Sequence, residues 1–171
     1  YKRQVPSIVN PHDLNAAELA LQLKDRYGGK VTVISMAPPS AILGQEHCIG
    51  MGVDKGILVS DRTFAGADTL ATSYTLAKAI ERIGSYDLII MGQETIDSST
   101  AHIGAQVASW LGIPYVYYVV EVQYFEDKRV IQAKRMLEDA HEVYEVRLPA
   151  LISAAMKSNY PRSCLLYTSP S

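Results

Sequence analysis

Residues able to hold an anion are most concentrated in the stretch from Asp87 to Gly112, DLIIMGQETIDSSTAHIGAQVASWLG. Asp97, Ser98, Ser99 and Thr100 set a carboxylate and three hydroxyls directly before a segment whose apolar residues Ile103, Val107, Trp110 and Leu111 recur at helical spacing. Ser98, Ser99 and Thr100 are the residue types that cap a helix start, because a side-chain oxygen there accepts from the first unpaired N–H groups. Before the loop, DLIIM is the short unbroken apolar run of a parallel strand buried on both faces, and Gly92 ends it. The expected order is therefore strand, loop, helix, with the helix opening at the carboxyl end of a buried strand. Open α/β sheets bind ligands at that edge, and a helix N-terminus offers an anion free N–H groups and the positive end of a dipole. No Lys or Arg lies between Asp87 and Gly112, so a phosphate there would be held by backbone and hydroxyl donors. The plainer alternative is a well-capped helix in a βαβ unit that binds nothing.

Other chemistry-bearing residues carry less. His102, just inside that helix, is either a ligand contact or an exposed polar residue. Asp97 either orients a ribose hydroxyl or bonds its own backbone, as Asp does in turns. Ser99 and Thr100 have no neighbouring base at a spacing that suggests a nucleophile. His47 and His141 lack partners at metal spacing and read as surface residues. Glu138 and Asp139 form an acidic pair, but on an expected hairpin, where solvation is the simpler role. The run YVYYVVEVQYF is read as sheet packing and not as a base-stacking surface, since no basic groove accompanies it.

The elements that must position the loop follow from periodicity. Asp13 is expected to cap a helix over LNAAELALQLKDRY, with Leu14, Ala17 and Leu21 on one face and Gly28 and Gly29 as its stop. KVTVISM (Lys30 to Met36) and GILVSD (Gly56 to Asp61) read as buried strands, and Ala41 to Gly52 as a helix weakened by its glycines. Phe64 to Gly84 reads as another helix. After Pro114 the rhythm changes to strands at Tyr115 to Phe125, Arg129 to Leu137, Glu142 to Leu148 and Leu151 to Met156. Helices alternating with buried strands, then strands in succession, imply a doubly wound, mostly parallel α/β sheet with an antiparallel extension and a return to the sheet. A doubly wound domain normally begins with a central strand, so the first strand is expected to precede this sequence.

Composition excludes several classes. With 171 residues, 48% hydrophobic and 20% charged, the chain suits one domain with a real core. A formal net charge of −2 with scattered basic residues leaves no electrostatic footprint for nucleic acid, and no apolar run reaches membrane-span length. Two cysteines, far apart and outside any CxxC spacing, indicate neither a disulfide framework nor zinc. A reducing, cytoplasmic compartment is expected. The last residues, CLLYTSPS, have no periodicity and resemble the translation of a sequencing-library adapter. The domain is expected to occupy residues 1–163, with 164–171 a non-native tail and Cys48 the one native cysteine.

Six strings in order resemble the beta subunit of electron-transfer flavoproteins: NPHD at Asn10, VISMAPP at Val33, IGMGVDKGILVSD at Ile49, FAGADTLATSY at Phe64, GQETIDSSTAHIG at Gly92 and KRMLEDAHEVYEVRLPALIS at Lys134. The family's signature maps onto Arg135, Glu138, Asp139, Ala140, Glu142 and Pro149, with Ala140 standing where Gly is usual and Tyr144 where a small aliphatic is usual. The resemblance implies a Rossmann-like, adenine-nucleotide-binding fold and a heterodimer with an alpha subunit. It also implies a function in carrying electrons from flavin dehydrogenases, such as acyl-CoA dehydrogenases, with no catalytic residues of its own. It places nucleotide contacts on Asn10, Pro11, His12, Asp13 and Met36, and on Gly92, Gln93, Glu94, Thr95, Ile96, Asp97, Ser98, Ser99, Thr100, Ala101, His102 and Ile103. The nucleotide is FAD in the electron-bifurcating branch and AMP in the other. Residues 97–104 resemble the D-G-D-T-A-Q-V-G of the bifurcating branch, with small Ala101 and Gly104 letting a dinucleotide approach the helix, although Ser99 and His102 depart from it. FAD is therefore expected over AMP. The competing readings are a stand-alone ATP- or AMP-binding stress-response module and an adenylate-forming enzyme. Either would show a Gly-rich or Ser-Gly-Gly phosphate loop, which this sequence lacks.

Overall fold

The computed structural model describes residues 11–36, 49–59, 69–92 and 103–155. Its elements, in chain order, are α1 (Pro11–Tyr27), β1 (Thr32–Met36), β2 (Lys55–Val59), α2 (Thr69–Ile83), β3 (Leu88–Gly92), α3 (Ile103–Leu111), β4 (Tyr115–Phe125), β5 (Val130–Met136), β6 (His141–Arg147) and β7 (Ala150–Ala154). β1 and β2 form a parallel pair, and the other strands form a five-stranded sheet in the order β3-β7-β4-β5-β6. β7 runs parallel to both β3 and β4, while β5 and β6 are antiparallel additions to β4. The expected mostly parallel α/β sheet with an antiparallel extension and a returning strand is what forms. β7 takes an inner place between β3 and β4, where all five of its residues, ALISA, are buried and its small Ala150, Ser153 and Ala154 tolerate neighbours on both faces.

Helix α1 shows why the two sheets form one layer. Its Ala17 and Leu21 pack with Leu14, Val31 and Val33 beside β1, while Ala16, Leu19 and Leu23 pack with Leu88 and Ile90 of β3. On the opposite face, Ile34 of β1 joins Ile89 and Met91 of β3 against Ala77 and Ile80 of α2 and Val107 and Ala108 of α3. Alternate residues of β1 and β3 thus face the same two helical layers, as the period of two in a strand requires. No ladder joins β1 to β3 among the described residues. Burying side chains such as Leu151, Ile152 and Val107 in this sandwich contributes roughly 1.5–3 kcal/mol each.

Several boundaries differ from expectation. Asp13 is the third residue of α1 and not its cap, because the helix already runs from Pro11, a residue well suited to a first helical position. The glycine stop does form: Gly28 has φ 81° and donates its N–H to the Lys24 carbonyl at 2.8 Å. Lys24 also bonds both carboxylate oxygens of Asp54 at 2.9 Å, and Asp54 accepts the Val31 N–H at 2.8 Å. These bonds tie the end of α1 to the start of β2, so the first turn of α1 points towards the carboxyl ends of β1 and β2. They also hold the Asp54 carboxyl below its ordinary range, the Lys24 bond first and the Val31 N–H second.

The helix expected over Ala41 to Gly52 and the first residues of the Phe64 helix lie mostly outside the described residues. Ala140, where the family favours Gly, makes its turn without a left-handed backbone, with Leu137 donating to its carbonyl at 2.8 Å. Among the described residues no helix is long and apolar enough to cross a membrane.

Candidate functional site

Strand β3 ends at Gly92, paired with Ala154, and α3 begins at Ile103. At the other end of the unit, Ala150 donates to the Asp87 carbonyl and Leu151 to the Pro114 carbonyl, so the segment leaving α3 returns to the amino end of the sheet. The opening of α3 consequently stands at the carboxyl end, where the sequence places its anion loop. Met36, the last residue of β1, and the Pro11–Asp13 turn of α1 belong to the same edge by the direction of their elements. The structure thus brings the described members of the expected set to one rim: Pro11, His12, Asp13, Met36, Gly92 and Ile103. Asn10 and Gln93, Glu94, Thr95, Ile96, Asp97, Ser98, Ser99, Thr100, Ala101 and His102 lie outside the described residues, as does His47.

The frame around the loop suits an anion. α3 has no acidic residue in its first turn and no basic residue in its last, so nothing charged on the helix competes with a ligand for its N-terminal dipole. Val107 and Ala108 bury the helix against Leu151, so its opening is set by apolar packing.

Gly104 has a different reason from the one its sequence suggests. A Cβ there would lie 2.8 Å from Tyr115 Oη and 3.0 Å from both Cε1 and Cζ of that ring. Its missing side chain makes room for Tyr115, within the protein. Periodicity did not single out Tyr115.

Farther along the rim, β4 is interrupted twice, with register shifts between Val116 and Val119 against β7 and between Val119 and Glu121 against β5. Each irregularity moves the alternation of faces, so the buried residues fall at Val116, Val119 and Val122, a spacing of three in a strand. Tyr118 takes φ 57° there and donates its N–H to the buried Ser153 hydroxyl at 3.0 Å. Beside it Arg135 is only 9% exposed, its guanidinium 4.1 Å above the Tyr117 ring and bonded to Glu142 at 3.1 Å and the Tyr144 hydroxyl at 3.3 Å. The charge of this strand is buried with an anion and two rings. Glu138 and Asp139 stand exposed in the adjacent turn, and His141 is exposed at the start of β6. Among the described residues no group of three His, Cys, Asp or Glu side chains is arranged for a metal.

A doubly wound α/β domain with an anion-suited helix opening at the carboxyl rim and an antiparallel extension is the class that fold and site define. The model of the electron transfer flavoprotein domain matches residues 1–166. The electron transfer flavoprotein subunit beta of Clostridium acetobutylicum is 47% identical over 158 residues, covering 92% of this chain and 60% of the relative. Subunit CarD of the caffeyl-CoA reductase-Etf complex of Acetobacterium woodii is 46% identical over 159 residues, with the same coverage of 92% and 60%. The acryloyl-CoA reductase electron transfer subunit gamma of Anaerotignum propionicum is 40% identical over 165 residues, covering 93% of this chain and 61% of the relative. The chain belongs to the electron transfer flavoprotein family, on the side of its beta subunits, and spans about 60% of the length of these relatives.

Proposed function

We propose that this chain is the nucleotide-holding part of an electron-transfer flavoprotein beta subunit that binds an adenine nucleotide at the loop between β3 and α3, FAD in preference to AMP. The observation that carries the proposal is the opening of α3 beside Gly92, free of acidic side chains in its first turn, at the carboxyl rim of the sheet. Ser99, Thr100 and the N–H groups before Ile103 would hold phosphate, while Asn10, Pro11, His12, Asp13 and Met36 would line the neighbouring part of the same rim. FAD, when bound, supplies one- and two-electron chemistry; the chain's own residues would bind and orient it.

The preference for FAD rests on Ala101 and on FAGADTLATSY, since Gly104 is accounted for by Tyr115. In the whole protein the subunit would pair with an alpha subunit and pass electrons between a flavin dehydrogenase and an acceptor, by bifurcation in the FAD case. The names of two relatives speak of reductases of CoA thioesters, which supports an acyl-CoA or related flavin dehydrogenase as the electron partner. A cytoplasmic setting belongs to the same proposal.

Mixing the full-length protein with the alpha subunit encoded beside it tests this reading. A yellow heterodimer is the expected product. A colourless monomer that binds ATP by itself would favour the stand-alone nucleotide-binding module instead.

A further inference from the structure

Beyond the loop itself, we propose that Tyr115 is the positioning residue that sets where the opening turn of α3 stands beneath the bound nucleotide; this rests on the nucleotide reading above. Gly104 is the second residue of α3 and is buried. It is not one of the glycines with positive φ, so its backbone does not demand glycine. The demand comes from the phenol, whose Oη, Cε1 and Cζ all lie within 3.0 Å of where a Cβ would stand.

The phenol is not free to retreat. Tyr115 opens β4 opposite the fully buried Leu151, and its side chain packs in the same cluster as Ile103, Val107 and Leu111. Its ring lies 6.3 Å from that of Tyr117, and Tyr117 carries the Arg135 guanidinium at 4.1 Å, itself anchored by Glu142. α3 is held by Val107 and Ala108, which pack against Leu151 about one turn beyond Gly104, so a clash with the ring is taken up by the opening residues Ile103 and Gly104 while the middle of the helix stays in place. N–H groups serve an anion over a donor–acceptor range of only about 2.7–3.2 Å, so a shift of a few tenths of an ångström there registers as lost nucleotide affinity. Tyr115 thus acts through Gly104 and needs no contact with the ligand.

The test uses the full-length beta subunit co-produced with its alpha subunit and stripped of nucleotide, titrated with AMP and with FAD. Gly104→Ala should weaken binding of the preferred nucleotide by about tenfold or more. Adding Tyr115→Phe, which removes the oxygen nearest the new methyl, should recover part of that loss, and adding Tyr115→Leu most of it. Tyr115→Leu alone strips packed atoms, so a merely structural role predicts that the double variant is worse than Gly104→Ala and not better. Amide exchange at residues 103–107 should rise in Gly104→Ala and fall again in the double variants. Wild-type affinity in Gly104→Ala, or a loss that neither Tyr115 variant relieves, overturns the inference while leaving the nucleotide reading standing. A wild-type heterodimer that binds neither AMP nor FAD overturns both.

Discussion

Replacing Ser153 with Ala removes one oxygen from an inner strand of the sheet, and its effect can be worked from the geometry. Ser153 is 2% exposed, and its hydroxyl accepts the Tyr118 N–H at 3.0 Å, in a part-buried site. A buried N–H left without an acceptor costs about 1–3 kcal/mol, and the partial burial places this one in the lower half, about 1–2 kcal/mol. Tyr118 already stands in the left-handed region at φ 57°, which costs a residue with a side chain roughly 1–2 kcal/mol. The bond from Ser153 is what offsets that cost. Ser153→Ala should therefore lower stability by about 1–2 kcal/mol, at roughly 2–4 °C of midpoint per kcal/mol for a domain of this size, and speed exchange of the Tyr118 amide.

Tyr118→Gly should be nearly neutral by comparison. It relieves the left-handed strain but gives up the edge-on contact of Tyr118 with Tyr117, 5.1 Å between ring centroids, worth about 0.5–1.5 kcal/mol. Urea unfolding of the full-length protein and amide exchange by mass spectrometry measure both. An unchanged midpoint and an unchanged Tyr118 amide in Ser153→Ala would refute the account of the bulge, as would a Tyr118→Gly variant that is the worse of the two.

Three further outcomes are expected. The Asp54 carboxyl is held below its ordinary range by Lys24 and the Val31 N–H, so its stabilisation is full above the unfolded value of about 3.9 and is lost as pH falls through the folded value. Asp54→Asn should flatten the acid limb of the pH–stability curve and leave its alkaline limb unchanged, read by urea midpoints. At the Arg135 cluster, removing the anion should hurt more than removing the cation: Glu142→Gln leaves a charged side chain that is 10% exposed without its counter-charge, whereas Arg135→Met replaces it with an apolar chain of similar reach. Thermal midpoints of the two variants check that order. Thr100→Ala should weaken nucleotide retention several-fold without unfolding the domain, since a capping hydroxyl and its share of the dipole contribute about 0.5–2 kcal/mol; titration calorimetry decides it.

Much of the architecture was legible because three strands carry continuous apolar or small runs. LIIM, GILV and ALISA read as a parallel sheet without reference to tertiary contacts, although only ALISA is buried throughout and the other two are half-buried. Gly28 and Gly84 declared helix ends for the same local reason, a positive φ that other residues resist. What escaped depends on partners distant in sequence. The bulges in β4 convert the expected alternation into Val116, Val119 and Val122, and nothing within YVYYVVEVQYF announces them, because the acceptor that secures Tyr118 is Ser153, 35 residues away. The burial of Arg135 is of the same kind, since Tyr117, Tyr144 and Glu142 close over it from other parts of the sheet. Gly104 was matched to a ligand, yet its neighbour is Tyr115, brought beside it only when α3 folds back on β4. The anion loop is a reading of the sequence alone, and the structure contributes the frame on either side of it, Gly92 and Ile103.

The central claim is that an adenine nucleotide sits on the opening of α3 in a flavoprotein heterodimer. Denaturing the intact heterodimer and quantifying the nucleotides released tests this most directly. The account predicts two FAD per heterodimer; one FAD with one AMP would contradict the preference for FAD, and one FAD with no second adenine nucleotide would contradict the site itself.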